Sequence, residues 1–347
     1  MSAIQALGIR HGLRPGGTAL IFVCAEDTGL SERVQQERAA AMAKPAVLVL
    51  GATGRIGQLL QLCPPADLSP GLSAGPSAGL ALRLQARRGA ADRWAENGLG
   101  DWRIFDPLAE PAALARAADG AHAILCLAGP VPGRGAGRGA GDMADHIRLG
   151  EAAVRAAAGA GAGCRVLLAS SAAVYGARSG LLAEETPLQP ANAYGEAKAA
   201  MEAHAAGLAA ELAVPTCALR IGNIAGFDAA LGGWRPGFTL DRFPDGSTPR
   251  RSYIGVQCLA QVLAALLMAP ELPPVLNIAQ PGTVEMGALL QAAGKPFGLR
   301  PAPPAAIPEV ALDVSRLQTL LAARLAAADA AAMAAEWAAL EPDMANE

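Results

Sequence analysis

Lysine is nearly missing from this chain, and aromatic residues are scarce. Only three lysines and three tyrosines occur in 347 residues, and Phe, Trp and Tyr together make up 4%. No long basic run exists and the net charge is −3, which argues against a nucleic-acid partner. Long apolar runs are also lacking. The best N-terminal candidate, TALIFVCA, has eight residues and leads into EDTGLSER; it is far too short for a membrane span and lacks the charged start and cleavage site of a signal peptide. A cytoplasmic protein with no membrane partner is therefore expected. The six cysteines (Cys24, Cys63, Cys126, Cys164, Cys217, Cys258) form no Cys-x-x-Cys pair, and no two of the four histidines (His11, His122, His146, His204) stand four apart. A reduced compartment and no metal site follow, with the histidines read as surface or strand residues.

What is present describes a folded globular chain: 52% hydrophobic, 17% charged, and long enough for one large domain or two ordinary ones. The Ala, Gly and Arg excess reflects compositional bias more than function. Residues 1–43 look unlike the remainder, and MAKPAVLVLGATGRIG reads as the natural opening of a fold. Residues 1–43 are thus expected to be an extension, either disordered or a misassigned start, and residues 1–41 to be dispensable.

AVLVL (46–50) is the short continuous apolar run of a strand buried on both faces, and GATGRIG followed by QLLQL continues it as a glycine turn and a helix. That order suits a dinucleotide-binding βαβ unit. Gly51 allows the tight turn, Gly54 lets the backbone approach a pyrophosphate, and Gly57 permits close helix packing, with the helix start as anion site. Thr53, Arg55 and Ile56 belong to the same turn. An ordinary tight βα turn would read similarly. Further strand-like runs, LALRLQA, WRIF, AHAILCLAG, CRVLLAS and TCALRIG, alternate with alanine-rich helical segments. The expected fold is α/β, a doubly wound parallel sheet of Rossmann type. The segments 63–79 and 129–142 are Gly/Pro-rich loops; the second is either a lid over a ligand or a tolerated insertion.

The sequence YGEAK places Tyr194 four residues ahead of Lys198, an offset that neither Tyr175 nor Tyr253 shares. A packed tyrosine and a solvated lysine on one amphipathic helix would give the same spacing. Taken with GATGRIG, LLASSAAVYG (167–176), EETPLQPANAYGEAK (184–198) and LRIGNIAG (219–226), however, the chain resembles the extended short-chain dehydrogenase/reductases, the NAD-dependent epimerase/dehydratases, over roughly residues 45–320.

The resemblance implies a Rossmann domain, set at 44–225, and a smaller C-terminal substrate lobe at 226–347 from which some elements return to the sheet. It implies Tyr194 as catalytic acid/base, Lys198 as its partner and as a ribose contact, and Ser171 as the hydroxyl that holds the reacting oxygen. Because i and i+4 share a helix face, the Lys198 ammonium is expected to lower the phenol from about 10 toward the working pH. Ser170 is assigned to the cofactor, as are Asp106 near the adenine and Ala128 and Gly129 beside the nicotinamide; Asp106 also reads as a turn cap before Pro107. Arg87 and Arg88 stand where an acidic residue would favour NAD, so NADP is favoured over NAD unless they are only a solvated turn. Asn223 and Arg251 fall on the substrate side, with Arg251 equally readable as an ion-pair residue, and Glu184 and Glu185 are read as loop or ion-pair residues. Cys258 stands where the family often has Asp, and Ala197 where it often has Ser. Both departures weaken a nucleotide-sugar assignment, and SSAAV lacks the Asp-Glu pair of the 4,6-dehydratases. The expectation is an NAD(P)-dependent oxidoreductase or epimerase acting on a small-molecule secondary alcohol or ketone, with a homodimer as one open assembly. The alternatives are a non-catalytic NAD(P)-binding redox sensor and a cofactor-free sugar-nucleotide scaffold.

Overall fold

The computed structural model describes residues 44–63, 79–89, 100–131, 142–161, 163–322 and 325–344. The chain divides into the units Met1–Ala43 and Lys44–Glu347, and only the second is described. The expectations for residues 1–43 and for most of the two Gly/Pro-rich loops lie outside these residues.

Strand β1 (Ala46–Leu50) and helix α1 (Arg55–Leu62) form where AVLVL and RIGQLLQL predict them. Then come β2 (Ala81–Ala86), β3 (Asp101–Ile104), α2 (Pro111–Ala118), β4 (Ala123–Cys126), α3 (Asp145–Gly159) and β5 (Arg165–Ser171). A 3₁₀ turn (Ala172–Tyr175), β6 (Gly180–Leu182), the 20-residue α4 (Ala193–Leu212) and β7 (Thr216–Ile221) complete the first half. One seven-stranded sheet runs β12-β7-β5-β4-β1-β2-β3, with every pairing parallel and β12 (Val275–Ile278) at its edge. That is the doubly wound order, reversing direction between β1 and β4, where ligands bind in such sheets.

Alternation along β1 divides the core. Val47 and Val49 face one layer with Leu59 of α1, whereas Leu48 and Leu50 face another with Leu114 of α2, Val154 of α3 and Met201 of α4. These four side chains of β1 are fully buried, worth about 1.5–3 kcal/mol each. Helices α3 and α4 approach closely because Gly150 leaves room for Met201; a Cβ there would stand 3.0 Å from Met201 Cγ.

The remaining chain builds smaller sheets. β13 (Val284–Glu285), β10 (Arg250–Arg251), β15 (Glu309–Leu312) and β6 form one; β8 (Asn223–Ile224) pairs with β11 (Tyr253–Ile254), and β9 (Thr239–Arg242) with β14 (Gly298–Pro301). Helices α5 (Val256–Met268), α6 (Met286–Ala292), α7 (Ser315–Leu320) and α8 (Ala330–Met344) pack among them. Glu336 of α8 accepts the Gln257 N–H at the otherwise uncapped start of α5, joining two helices. No helix of the described residues is long and apolar enough to cross a membrane.

Candidate active site

The glycine turn shapes a cleft of about 240 Å³ at the carboxyl ends of β1, β2 and β4. Gly51 has φ +79°, and a Cβ on it would lie 2.8 Å from the Ala128 backbone, so both the turn and the close approach of β4 require glycine. Gly57 lets α1 settle on the turn, since a Cβ there would lie 2.5 Å from the Ala52 carbonyl oxygen. No side chain caps the start of α1 at Gly54, which leaves the positive end of the helix for an anion. Gln85, fully buried at the end of β2, accepts the Gly51 N–H at 2.9 Å and donates to Phe105 O at 2.7 Å. Sequence reasoning missed Gln85; its signal was a lone amide among apolar strand residues.

Thr53, Gly54, Arg87, Asp106, Ala128 and Gly129 line this cleft. Asp106 also caps its own turn, accepting the N–H groups of Leu108 and Ala109, as the turn-cap reading of that residue expects. The two arginines separate: Arg87 faces the cleft, while Arg88 is ion-paired to Glu110 at 2.6 Å. Ile56 packs partly buried against the core. The Arg55 side chain reaches across to donate to Phe227 O and stack on its ring, which joins the glycine turn to the segment after β8.

Tyr194 is held by the start of α4. Asn192 caps that helix by accepting the Gly195 N–H at 2.9 Å, and Gly195 must lack a side chain because a Cβ would lie 2.6 Å from Ala173 O. The second position of YGEAK thus allows the helix to sit against the 3₁₀ turn that follows Ser171. Ser171 stands close enough to the phenol to pull its pKa down, and the Lys198 ammonium lies 5.7 Å from the Tyr194 ring centroid. The structure therefore brings Ser171, Tyr194 and Lys198 together.

Its electrostatics differ from expectation. Burial raises the Tyr194 phenol above its usual value, against weaker downward pulls from Ser171 and the Arg55 charge. The Lys198 ammonium therefore does not bring the phenol below its usual value. It is buried, donates to Ala169 O at 2.6 Å, and is itself lowered to about 8 by desolvation. Between pH 8 and the ordinary lysine value the unfolded chain keeps a proton that the folded chain has released, so stability rises with pH across that window. At pH 7 both states hold the proton and the folded state bears the whole cost, on the order of 3 kcal/mol. In urea titrations at pH 7 and pH 10, the stability difference between wild type and Lys198→Met is expected to move toward wild type by up to about 3 kcal/mol. A pH-independent difference would refute this account.

Ser170 is not brought to the cleft. Strand alternation turns it away from Ser171, and its hydroxyl donates to buried Glu202. Glu202 holds Arg220 at 2.8 Å, with both side chains less than one-tenth exposed, and Arg220 also donates to Tyr175 Oη and Glu184 O. The assignment of Ser170 to the cofactor is corrected to membership of this buried network. Glu184 accepts the Asn277 N–H and Glu185 pairs with Arg316, in keeping with their reading as loop and ion-pair residues. Asn223 stands opposite Tyr253 in the β8–β11 pair. Arg251 donates to the carbonyls of Arg250 and Ile307, tying β10 to the segment before β15.

His146, read from sequence as a surface or strand residue, lies instead on α3, 2% exposed and edge-on to the Tyr194 ring at 5.7 Å. It was missed because its partners, Gly129, Pro130 and Tyr194, meet only in the folded chain.

A parallel sheet with a glycine cleft at its switch point and a Ser-Tyr-Lys cluster beside it defines a dinucleotide-binding protein of short-chain dehydrogenase/reductase type. The model of the NAD dependent epimerase/dehydratase family matches residues 47–231, and the chain belongs to that family of enzymes. No curated protein matches the chain at a significant level. Similar solved structures include UDP-glucose 4-epimerase from Brucella ovis in complex with NAD, at 19% identity and TM-score 0.66 over 84% of this chain and 96% of that one. UDP-glucuronic acid 4-epimerase from Bacillus cereus, with UDP-glucuronic acid and NAD, has 17% identity and TM-score 0.63 over 86% and 99%. A dTDP-glucose 4,6-dehydratase from Streptomyces venezuelae has 18% identity and TM-score 0.62 over 86% and 98%. At these identities the likeness is one of fold.

Proposed function

We propose that the protein is an NAD(P)-dependent oxidoreductase or epimerase acting on a secondary alcohol or ketone, with a nucleotide sugar as the leading substrate class. The observation that carries this reading is the half-buried Tyr194 phenol, with Ser171 beside it and the Lys198 ammonium 5.7 Å from its ring centroid, next to a cleft whose glycine geometry fits a dinucleotide. When bound, the nicotinamide would supply the hydride acceptor or donor. Tyr194 then moves the proton at its phenolic oxygen, Ser171 fixes the substrate oxygen by hydrogen bonding, and Lys198 holds the ribose. Gly51, Gly54 and the start of α1 take the pyrophosphate, and Asn223 and Arg251 are proposed on the substrate side. The nucleotide-sugar class rests on the family and on the substrates named for the relatives of similar fold, against the departures at Cys258 and Ala197. A redox sensor would need the cleft but not the Ser-Tyr-Lys cluster.

The test is a thermal-shift panel of NAD, NADP and nucleotide sugars, followed by turnover assays on any that bind. No shift with either dinucleotide would end this reading.

For the cofactor, Arg87 is proposed to favour NADP by meeting a 2′-phosphate, although the relatives named above that carry a cofactor hold NAD. Because Arg88 is committed to Glu110, Arg87→Ala is expected to weaken NADP about tenfold more than NAD, and Arg88→Ala to leave the ratio unchanged. Equal loss for both dinucleotides in Arg87→Ala would remove the preference.

A further inference from the structure

We infer that His146 is a positioning residue for Tyr194, tying the Gly129–Pro130 floor of the cleft to the phenol ring. Its imidazole Nε2 lies 3.0 Å from Pro130 O. A carbonyl only accepts, so Nε2 carries the hydrogen and Nδ1 is left with a bare lone pair. Among the described residues that buried Nδ1 has no hydrogen-bond partner. It fills the place where a side chain at residue 129 would go: a Cβ on Gly129 would lie 2.3 Å from both Nδ1 and Cε1. The ring also meets the Tyr194 ring in a T-shaped contact, centroids 5.7 Å apart.

A histidine serving only the core would be expected to satisfy both nitrogens, since an unpaired buried acceptor costs about 1–3 kcal/mol. Here the ring spans the two parts of the site. It fixes one carbonyl of the cleft floor and walls one side of the tyrosine. Protonation would leave a second N–H buried without an acceptor, and the ring is held neutral, lowered to about 4 by burial and by the nearby Lys198 charge. The groups that face the phenol are His146 from α3, Ser171 from the end of β5, Arg55 from α1 and Lys198 from α4. Of these, His146 is the neutral wall. It contributes to the burial that raises the phenol.

The inference rests on Tyr194 as the proton carrier, but its test needs neither substrate nor turnover. Ultraviolet titration of phenolate, with Tyr194→Phe subtracted to remove the signals of buried Tyr175 and Tyr253, reads the Tyr194 midpoint directly. His146→Gln keeps an amide N–H for Pro130 O but removes the ring wall. It should lower the midpoint by about 1 pH unit, with NAD and NADP affinity nearly retained. His146→Phe keeps the wall and loses the tether. It should hold the midpoint and weaken dinucleotide binding several-fold, read by thermal shift, with circular dichroism confirming the fold. If the two variants change both readouts alike, or change neither, the histidine is a core residue and the inference is overturned. Should the glutamine variant not fold, a lowered midpoint in the phenylalanine variant would overturn it equally. Absence of any dinucleotide binding in the wild type would sink the proposed function instead, and the phenol midpoints would still decide the role of His146.

Discussion

Tyr194→Phe is expected to lower turnover by on the order of 10² to 10⁴, the usual worth of a placed general acid or base. The substitution deletes one oxygen and keeps the ring, so the edge contact with His146 and the packing at the start of α4 persist. Ser171 keeps its role at the 3₁₀ turn, where its side chain accepts the Ala173 N–H. Dinucleotide affinity should therefore barely change, and stability should shift by about 1 kcal/mol at most. Lys198→Met should behave differently, losing activity and cofactor affinity together, because the resemblance gives that lysine a ribose contact. Steady-state rates on a substrate found in the panel decide the matter. Wild-type turnover in Tyr194→Phe would refute the mechanism even with the fold intact.

The second large effect concerns stability. Glu202→Ala is expected to cost about 3–5 kcal/mol in urea denaturation, because it strands the Arg220 guanidinium in the interior. The loss extends beyond the pair, since the Ser170 hydroxyl also gives up its acceptor. Arg220 retains Tyr175 and the Glu184 carbonyl, which are neutral and cannot replace a carboxylate. Replacing Glu202 and Arg220 together by Leu and Met should recover most of the loss, as neutral pairs of similar volume often do. A cost below about 1 kcal/mol for Glu202→Ala would show that water reaches the guanidinium.

The central strands were legible because parallel strands buried on both faces read as unbroken apolar runs, and AVLVL is strand β1 residue for residue. Strand β12 was not, because its four residues include Asn277, a polar group acceptable in the interior only through bonds to Tyr175, Leu182 and Asp313. Local spacing revealed Tyr194 and Lys198. It also suggested a coupling between them that burial outweighs, since desolvation depends on everything packed around the helix. Ser170 and Ser171 were both drawn into the site, although the period of two along a strand sends them to opposite faces. Gln85 and His146 stayed hidden for a different reason. Each is defined by a partner that only the three-dimensional fold supplies.

The place of β12 bears on how the chain comes to fold. The seven-stranded sheet takes its edge strand from Val275–Ile278, after the polypeptide has already left to build β8 through β11 and α5. During synthesis β7 therefore waits for its outer neighbour while more than fifty further residues are made, from Ile221 to Val275. Over that interval its open hydrogen-bonding edge can template pairing with another nascent chain. A fragment ending near residue 225 would keep that edge permanently, so the dinucleotide-binding half is expected to aggregate when produced alone, whereas a fragment extended through Ile278 carries its own edge strand.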